Sequence, residues 1–377
     1  MVFHRLRLAA YFPTTDTDFT MSKLRLAILK NEIADDHLRW VEVCRERTDQ
    51  VEWTVIDLTR ADWLEQTLRY QPDGLLAKPS GFTMPFKTLY DERLTILHTI
   101  CKLPVYPSLE EIQIYENKKY LSYWLAANQI PHPTTRVFYD EAEALDFAKT
   151  AQLPLVGKLN IGASGRGVTI LKTAAAVEDY IKNIFSGKGA SQQVGPKWKK
   201  KGFVGRVVRK LLHPAELKTK LNLYRHARAN VQKDFVLLQE FIPHSYEWRC
   251  VRIGDSYFAH KKMVVGEKAS GSLVKGYDTP STALLDFVKA VTDRRGFWSQ
   301  SVDLFETTDG QFLVNEMQCI FGQSDPYQMA IDGQPGRYVY QNDEWVFEAG
   351  DFNRYESYLL RLDHFIEILT HQEVLQG

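Results

Sequence analysis

Apolar positions fall into short blocks from Lys23 onward, and the blocks alternate between two periods. KLRLAIL, VEWTVIDL and GLLAKP read as strands, with helical spacing between them over Asp36 to Arg47 and Asp62 to Tyr70. A further helix through Leu89 to Cys101 and the segment PVYP close this unit. Strands alternating with helices predict a small parallel α/β domain over residues 22–112. The first strand runs into KNEIADD without a GxGxxG turn, so a dinucleotide pyrophosphate has no glycine-rich seat here. The unit reads as structural, or as one wall of a substrate site.

The pattern changes after about residue 113. A helix over Lys118 to Asn128 precedes a proline-started strand in IPHPTTRVFY, a helix over Glu141 to Ala151, the strands LPLVGKL and GVTIL, and a helix from Ala174 to Ile184. A basic insertion, residues 186–232, interrupts, and FVLLQEFI closes a second unit of residues 113–242. Residues 243–377 form a third: strands in EWRCVRIG and YFAHKKMVV, a helix from Ser281 to Arg295, the strands SVDLFET and QFLVNEMQ, and an amphipathic helix from Tyr355 to about His371. Length and composition agree with this division. A chain of 377 residues, 44% apolar and 25% charged, is globular, and it lacks the ~20-residue apolar run of a membrane span. Cys44, Cys101, Cys250 and Cys319 are far apart and form no CxxC pair, which points to a reducing compartment, the cytoplasm. Residues 1–21 read as a disordered tail or an upstream start.

Charge changes the picture locally. The chain carries 47 basic and 47 acidic residues, yet residues 186–232 hold twelve Lys and Arg against the single acid Glu216. Within this segment FVGRVVRKLL has a helical apolar stripe beside Arg206, Arg209 and Lys210. Such a helix either packs on its own domain or docks an anionic lipid surface or a polyanionic substrate. Aromatics are sparse there (Trp198, Phe203, Tyr224), which argues against nucleic acid.

Two stretches carry chemistry. Lys158 ends a strand, and Gly162, Ser164, Gly165 and Gly167 form a glycine-rich hairpin behind it. Such a loop lets backbone N–H groups approach phosphate oxygens while the lysine supplies charge; the alternative is a flexible hairpin with a surface lysine. In SVDLFETTDGQFLVNEMQ, Asp309-Gly310 reads as a two-residue turn pairing Thr308 with Gln311. Counting outward sets Asp303 opposite Glu316, with Gln318 on the same face as Glu316. Two opposed carboxylates and an amide oxygen suit Mg²⁺ bridging phosphates, whereas on a solvent-facing hairpin the acids would simply separate in water. His244 and His260 show no metal-ligand spacing and read as structural.

From about Glu116 to Gly322 the chain resembles the ATP-grasp superfamily, whose carboxylate:amine ligases include glutathione synthetase, D-alanine:D-alanine ligase and the ribosomal-protein glutamate ligase. The resemblance rests on Asn117-Lys118, where the family has Asp-Lys, on Pro133, on Lys158 with GASGRGV, on VLLQEFI, on EWR, and on the Asp303, Glu316, Gln318 set. The segment ASGSLVKGYD and the insertion look similar to members found among surface-polysaccharide genes. The resemblance implies an ATP-grasp fold behind an N-terminal parallel α/β domain, that is, α/β plus α+β. It implies Lys118 and Lys158 as the nucleotide lysines and the glycine loop over the phosphates. Gln239, Glu240, Phe241 and Ile242 would meet the adenine edge, and Glu247 the ribose. Arg249 would stabilise an acyl phosphate, with a cationic partner at Lys261 or its neighbour Lys262. Gln318 departs from the usual Asn by one methylene.

The resemblance also implies ATP and Mg²⁺, or Mn²⁺, as cofactors, and an acid and an amine, small molecules or glycans, as substrates. A non-catalytic nucleotide-binding module and a phosphotransferase are the rival functions on such a scaffold. Oligomeric state stays open, a dimer being compatible.

Overall fold

The computed structural model describes residues 22–81, 83–162, 167–187, 189–191, 231–265, 268–269, 274–321 and 325–376. The expectations for residues 1–21, for Ser164 and Gly165, and for most of the basic segment lie outside the described residues.

The apolar blocks of the first unit become β1 (Leu24–Lys30), β2 (Val51–Asp57), β3 (Gly74–Ala77) and β4 (Val105–Tyr106), a parallel sheet in the order β2-β1-β3-β4. Leu26 to Leu29 and Leu75 to Ala77 are buried as continuous runs, as expected of parallel strands covered on both faces. Helices α1 (Leu38–Arg45), α2 (Trp63–Tyr70) and α3 (Met84–Thr95) connect the strands. The last of these begins before the expected Leu89 and runs on through a π-helical stretch, Ile96–Ile100. A short helix not foreseen from the pattern, α4 (Leu109–Ile114), starts with a capping box: Ser108 Oγ accepts from the Glu111 N–H and Glu111 accepts from the Ser108 N–H. The other Glu111 carboxylate oxygen accepts from the Ser299 N–H at 2.8 Å, tying this helix to the third unit.

The second unit carries helices α5 (Lys118–Ala127), α6 (Glu141–Thr150) and α7 (Ala174–Phe185) and strands β5 (Thr135–Phe138), β6 (Leu155–Lys158) and β7 (Val168–Leu171). Short strands β8 (Ala190–Ser191) and β9 (Val231–Gln232) pair with each other, so the described ends of the basic segment meet. β10 (Val236–Glu240) then inserts between β5 and β6, giving an antiparallel sheet in the order β5-β10-β6-β7. Phe138, Leu155, Val177, Ile181 and Leu238 form the core between this sheet and its helices.

The third unit is a nine-stranded sheet. Its members are β11 (Tyr246–Ile253), β12 (Ser256–Val265), β13 (Lys268–Ala269), β14 (Lys275–Gly276), β15 (Ser299–Glu306), β16 (Phe312–Gln318), β17 (Ala330–Ile331), β18 (Gln334–Gln341) and β19 (Glu344–Ala349). Helix α8 (Thr282–Asp293) packs Leu284, Leu285 and Val288 against Trp248, Cys250 and Val302 of the sheet. The β18–β19 hairpin, absent from the sequence reading, turns at Asn342-Asp343 with both φ values positive, 50° and 63°, the backbone of a tight hairpin turn.

The C-terminal helix α9 (Tyr358–Gln376) lies within the third unit by sequence, but its Tyr358, Leu362, Phe365 and Leu369 complete the core of the first sheet. Close approach there requires glycine: a Cβ on Gly74 of β3 would stand 2.7 Å from the Phe365 ring. All four cysteines are free, and among the described residues no helix is long and apolar enough to cross a membrane.

Candidate functional site

The second and third sheets face each other across a cleft, and strand alternation decides which side chains enter it. Along β11, Trp248 and Cys250 turn to the core, so Glu247 and Arg249 turn to the cleft. Along β12, Tyr257 and Ala259 turn to the core, so His260 and Lys262 share the cleft face. Register aligns these positions into a row across four strands: His260 opposite Arg249, Arg249 opposite Asp303, and Asp303 opposite Glu316.

The opposition of Asp303 and Glu316 is the expected one, reached by a different route. Thr307, not Thr308, closes the turn, with its N–H donating to the Gln311 carbonyl; the loop has three residues, and Gly310 takes φ +80°. A β-bulge then shifts the ladder next to Asp303 and restores the pairing. Val314 and Met317 are three apart and both buried in the core, so Asn315 and Glu316 lie side by side between them. The bulge thereby adds Asn315 to the site, a residue the sequence reading missed. Its Oδ1 accepts from Lys158 Nζ at 2.8 Å and its Nδ2 donates to Glu247 Oε1 at 3.1 Å.

Ion pairs fill the rest of the cleft. Asp303, 2% exposed, receives Arg249 through two parallel bonds of 2.8 and 2.9 Å, and Lys262 Nζ at 2.6 Å. Lys262 also reaches Glu247 Oε2 at 2.5 Å. Lys118, at the first position of α5 behind the Asn117 cap, sits 3.2 Å from Glu316 and donates to the Gly162 carbonyl at 3.1 Å. Glu116, also not foreseen as a site residue, accepts from the Gly162 N–H at 2.9 Å and lies 3.9 Å from Lys118 Nζ. Gln318 donates its Nε2 to Glu316 at 3.3 Å. Gly167 closes the base of the glycine hairpin by accepting from the Leu159 N–H.

The titrations follow from this packing. Burial would raise the carboxyl of Asp303, but Arg249 and Lys262 outweigh it and hold it well below the usual range. Burial and Asp303 oppose ionisation of Glu316, yet Lys118 and the other lysines keep its pKa low. Burial depresses Lys158 to about 8, with Glu316 partly offsetting and Lys118 adding to the effect. Lys118 and Lys262 are raised despite their burial by the carboxylates they face.

Lys261 is a correction. Strand alternation turns it to the opposite face of β12, where its Nζ lies 4.1 Å from the Tyr246 ring centroid and 2.7 Å from Asp278. The lysine in the cleft is Lys262. Next to the charges, a small pocket opens between α5, the second sheet and β16. Leu121, Leu125, Leu237 and Val314 give it apolar walls, and Lys118 and Lys158 also line it. Gln239 lines it too and donates to Thr135 Oγ1 at 2.9 Å; Glu240, Phe241 and Ile242 lead from its strand toward β11, half-buried.

Among the described residues no group of three or more His, Cys, Asp and Glu could hold a metal by itself. Asp303 and Glu316 supply two carboxylates in one row, an all-oxygen set that fits a hard divalent cation whose remaining ligands are phosphate oxygens and water. Gln318 fits less directly, since its amide nitrogen, not its oxygen, is turned to Glu316.

No family model and no curated protein matches the chain. Solved structures do. D-alanine–D-alanine ligase from Bacillus anthracis superposes with a TM-score of 0.52 at 14% identity, over 94% of this chain and 100% of that one. The ADP complex of N5-carboxyaminoimidazole ribonucleotide synthetase gives 0.52 at 14% identity, over 83% and 75%. The biotin carboxylase domain of Hydrogenobacter thermophilus 2-oxoglutarate carboxylase, solved with MgADP, ADP and bicarbonate, gives 0.52 at 13%, over 81% and 66%. Identities this low speak for the fold alone.

Proposed function

We propose that this chain, which has the ATP-grasp fold, is an ATP-dependent ligase that joins a carboxylate to an amine and releases ADP and phosphate. The observation carrying the reading is the cleft itself: four cations, the buried Lys158 and Lys262 and the half-buried Lys118 and Arg249, converge with Asp303 and Glu316 beside an apolar pocket. An adenine would enter the pocket beside Gln239, Glu247 would face the ribose, and Lys118 and Lys158 would neutralise the α- and β-phosphates.

Asp303 and Glu316 would hold Mg²⁺, or Mn²⁺, which when bound neutralises charge on the β- and γ-phosphates. In the reaction a substrate carboxylate oxygen attacks the γ-phosphorus and the bond to ADP breaks. The amine nitrogen then attacks the carbonyl carbon, phosphate leaves, and the amine proton passes to phosphate or solvent. Arg249 would stabilise the acyl phosphate and its displacement, with Lys262 holding Asp303 and Glu247 in place. No side-chain nucleophile is required.

ADP release measured against panels of amino acids, amino sugars and uronic acids, with mass detection of the product, tests this. Release that needs both an acid and an amine and yields an amide is expected. ATP binding with no turnover would favour a non-catalytic module, and a stable phosphorylated product a phosphotransferase. The basic segment at residues 186–232 is proposed to attract an anionic partner by long-range charge.

A further inference from the structure

One buried ring on the cleft face of β12 has its tautomer fixed by one bond and, among the described residues, no partner for its other nitrogen. His260 is 1% exposed and stands beside Arg249 at the end of the cross-strand row. Its Nδ1 lies 2.9 Å from the Gln328 carbonyl oxygen. A carbonyl only accepts, so Nδ1 carries the proton and Nε2 presents a bare lone pair. Among the described residues nothing donates to that Nε2. Arg249, its cross-strand neighbour, turns its Nε and Nη2 to Asp303, and none of its N–H groups bonds that nitrogen. Tyr277, whose ring centre lies 5.9 Å from that of His260, gives its hydroxyl proton to Asp325.

The ring also stays neutral. Burial first, then Arg249 and Lys275, push it down to about 3, so the lone pair is present across the working pH range. A buried acceptor with its tautomer set by one bond and its other nitrogen idle is arranged for a donor that the described residues do not supply.

We propose that His260 Nε2 accepts a hydrogen bond from an N–H of the attacking amine, and so selects a neutral amine, rather than a second carboxylate, for the place next to Arg249. This rests on the ligase reading. A carboxylate there would set lone pairs against a lone pair, while an amine that donates one hydrogen to Nε2 keeps its own lone pair free for the carbonyl carbon. The row then has a functional order: Glu316 and Asp303 at the phosphates, Arg249 at the acyl phosphate, His260 at the nucleophile.

The test uses the full chain labelled with ¹⁵N-histidine, observed with MgADP present, the His260 signals being assigned by their loss in His260→Phe. The expected spectrum is a protonated Nδ1 and a bare Nε2 whose resonance shifts when methylamine or glucosamine is added, and does not shift with acetate. An Nε2-protonated ring would overturn the proposal. So would an Nε2 resonance unmoved by either amine, which would leave a buried water or a purely structural ring.

For whichever acid and amine pair releases ADP, His260→Phe should raise KM for the amine about tenfold and leave KM for ATP within about twofold, the effect of one lost hydrogen bond. His260→Gln, which keeps an acceptor oxygen, should recover part of the loss. Equal changes for ATP and amine would overturn the assignment. If no pair turns over, the ligase reading fails while the spectrum still decides whether Nε2 meets an amine.

Discussion

Lys158 of the second sheet and Asn315 of the third meet across the cleft, Nζ to Oδ1 at 2.8 Å, and this bond joins the two lobes at the point where phosphates are proposed to lie. Asn315 passes the link on to Glu247. Replacing it by Leu keeps much of its volume and removes both bonds, leaving a buried ammonium without its acceptor. A stability loss of about 1–3 kcal/mol is expected from thermal or urea unfolding, together with weaker ATP binding by calorimetry. An unchanged midpoint and affinity would show that the inter-lobe bond contributes nothing.

The depressed Lys158 gives nucleotide binding a pH signature. With its pKa at about 8, the side chain is charged below that value and loses its proton above it. Bound phosphates would favour the charged form, so ATP affinity should be level below pH of about 8 and fall as pH rises beyond it. Lys158→Arg, charged throughout, should flatten the curve. Calorimetry across this range decides the matter, and a parent curve without the fall removes Lys158 from the phosphate site.

Glu316→Gln removes a charge from the proposed metal pair with little change in volume. Mg²⁺-dependent ATP turnover should drop by at least about 100-fold while the far-UV spectrum stays that of the parent. Turnover at the parent rate with Mg²⁺ would mean the metal assignment is wrong.

The two adjacent lysines of β12 should behave differently. Lys262→Met leaves Glu247 and Asp303 without the cation they share, and about 3–5 kcal/mol of stability should go with the activity. Lys261→Met loses only its contacts with Tyr246, Trp248 and Asp278, so about 1 kcal/mol or less is expected, with turnover kept. Equal losses in the two variants would contradict the facing of the strand.

Glu111 links stability to pH. Burial pushes its carboxyl up to about 7 in spite of the backbone N–H groups it accepts from, against 4.5 as the ordinary value. Between these values the folded chain binds more protons than the unfolded one, so this group's contribution is full at low pH and is lost as pH rises through the window. The span amounts to about 3 kcal/mol. Denaturant melts of Glu111→Gln should show a weaker decline from about pH 4.5 to 7 than the parent, and parallel curves would refute the link.

How much of this was legible follows from what each residue depends on. The parallel sheet and most helix positions follow from local periodicity, which short apolar runs such as Leu26 to Leu29 carry plainly. The facing of Asp303 and Glu316 came out of the sequence through two offsetting slips, a three-residue turn in place of two and a bulge, because neither changes the apolar pattern enough to be read. Asn315 was hidden by that same bulge. Lys261 and Lys262 are equivalent in composition, and only the facing of β12, fixed by Tyr257 and Ala259 in the core, separates them. Glu116 and His260 acquire meaning from partners at Gly162 and Gln328, which no local pattern supplies.

The seating of α9 against Gly74 and the first sheet bears on how the chain is made. Strands β1 to β4 leave the ribosome early, but Phe365 and Leu369, which cover them, follow only after about 250 further residues. At 5–20 residues per second that is a delay of roughly 10–50 s, during which an apolar face of the nascent sheet has no permanent cover. Of the three units, the one synthesised first is therefore among the last to be finished, and the newborn chain is most in need of a chaperone over that sheet.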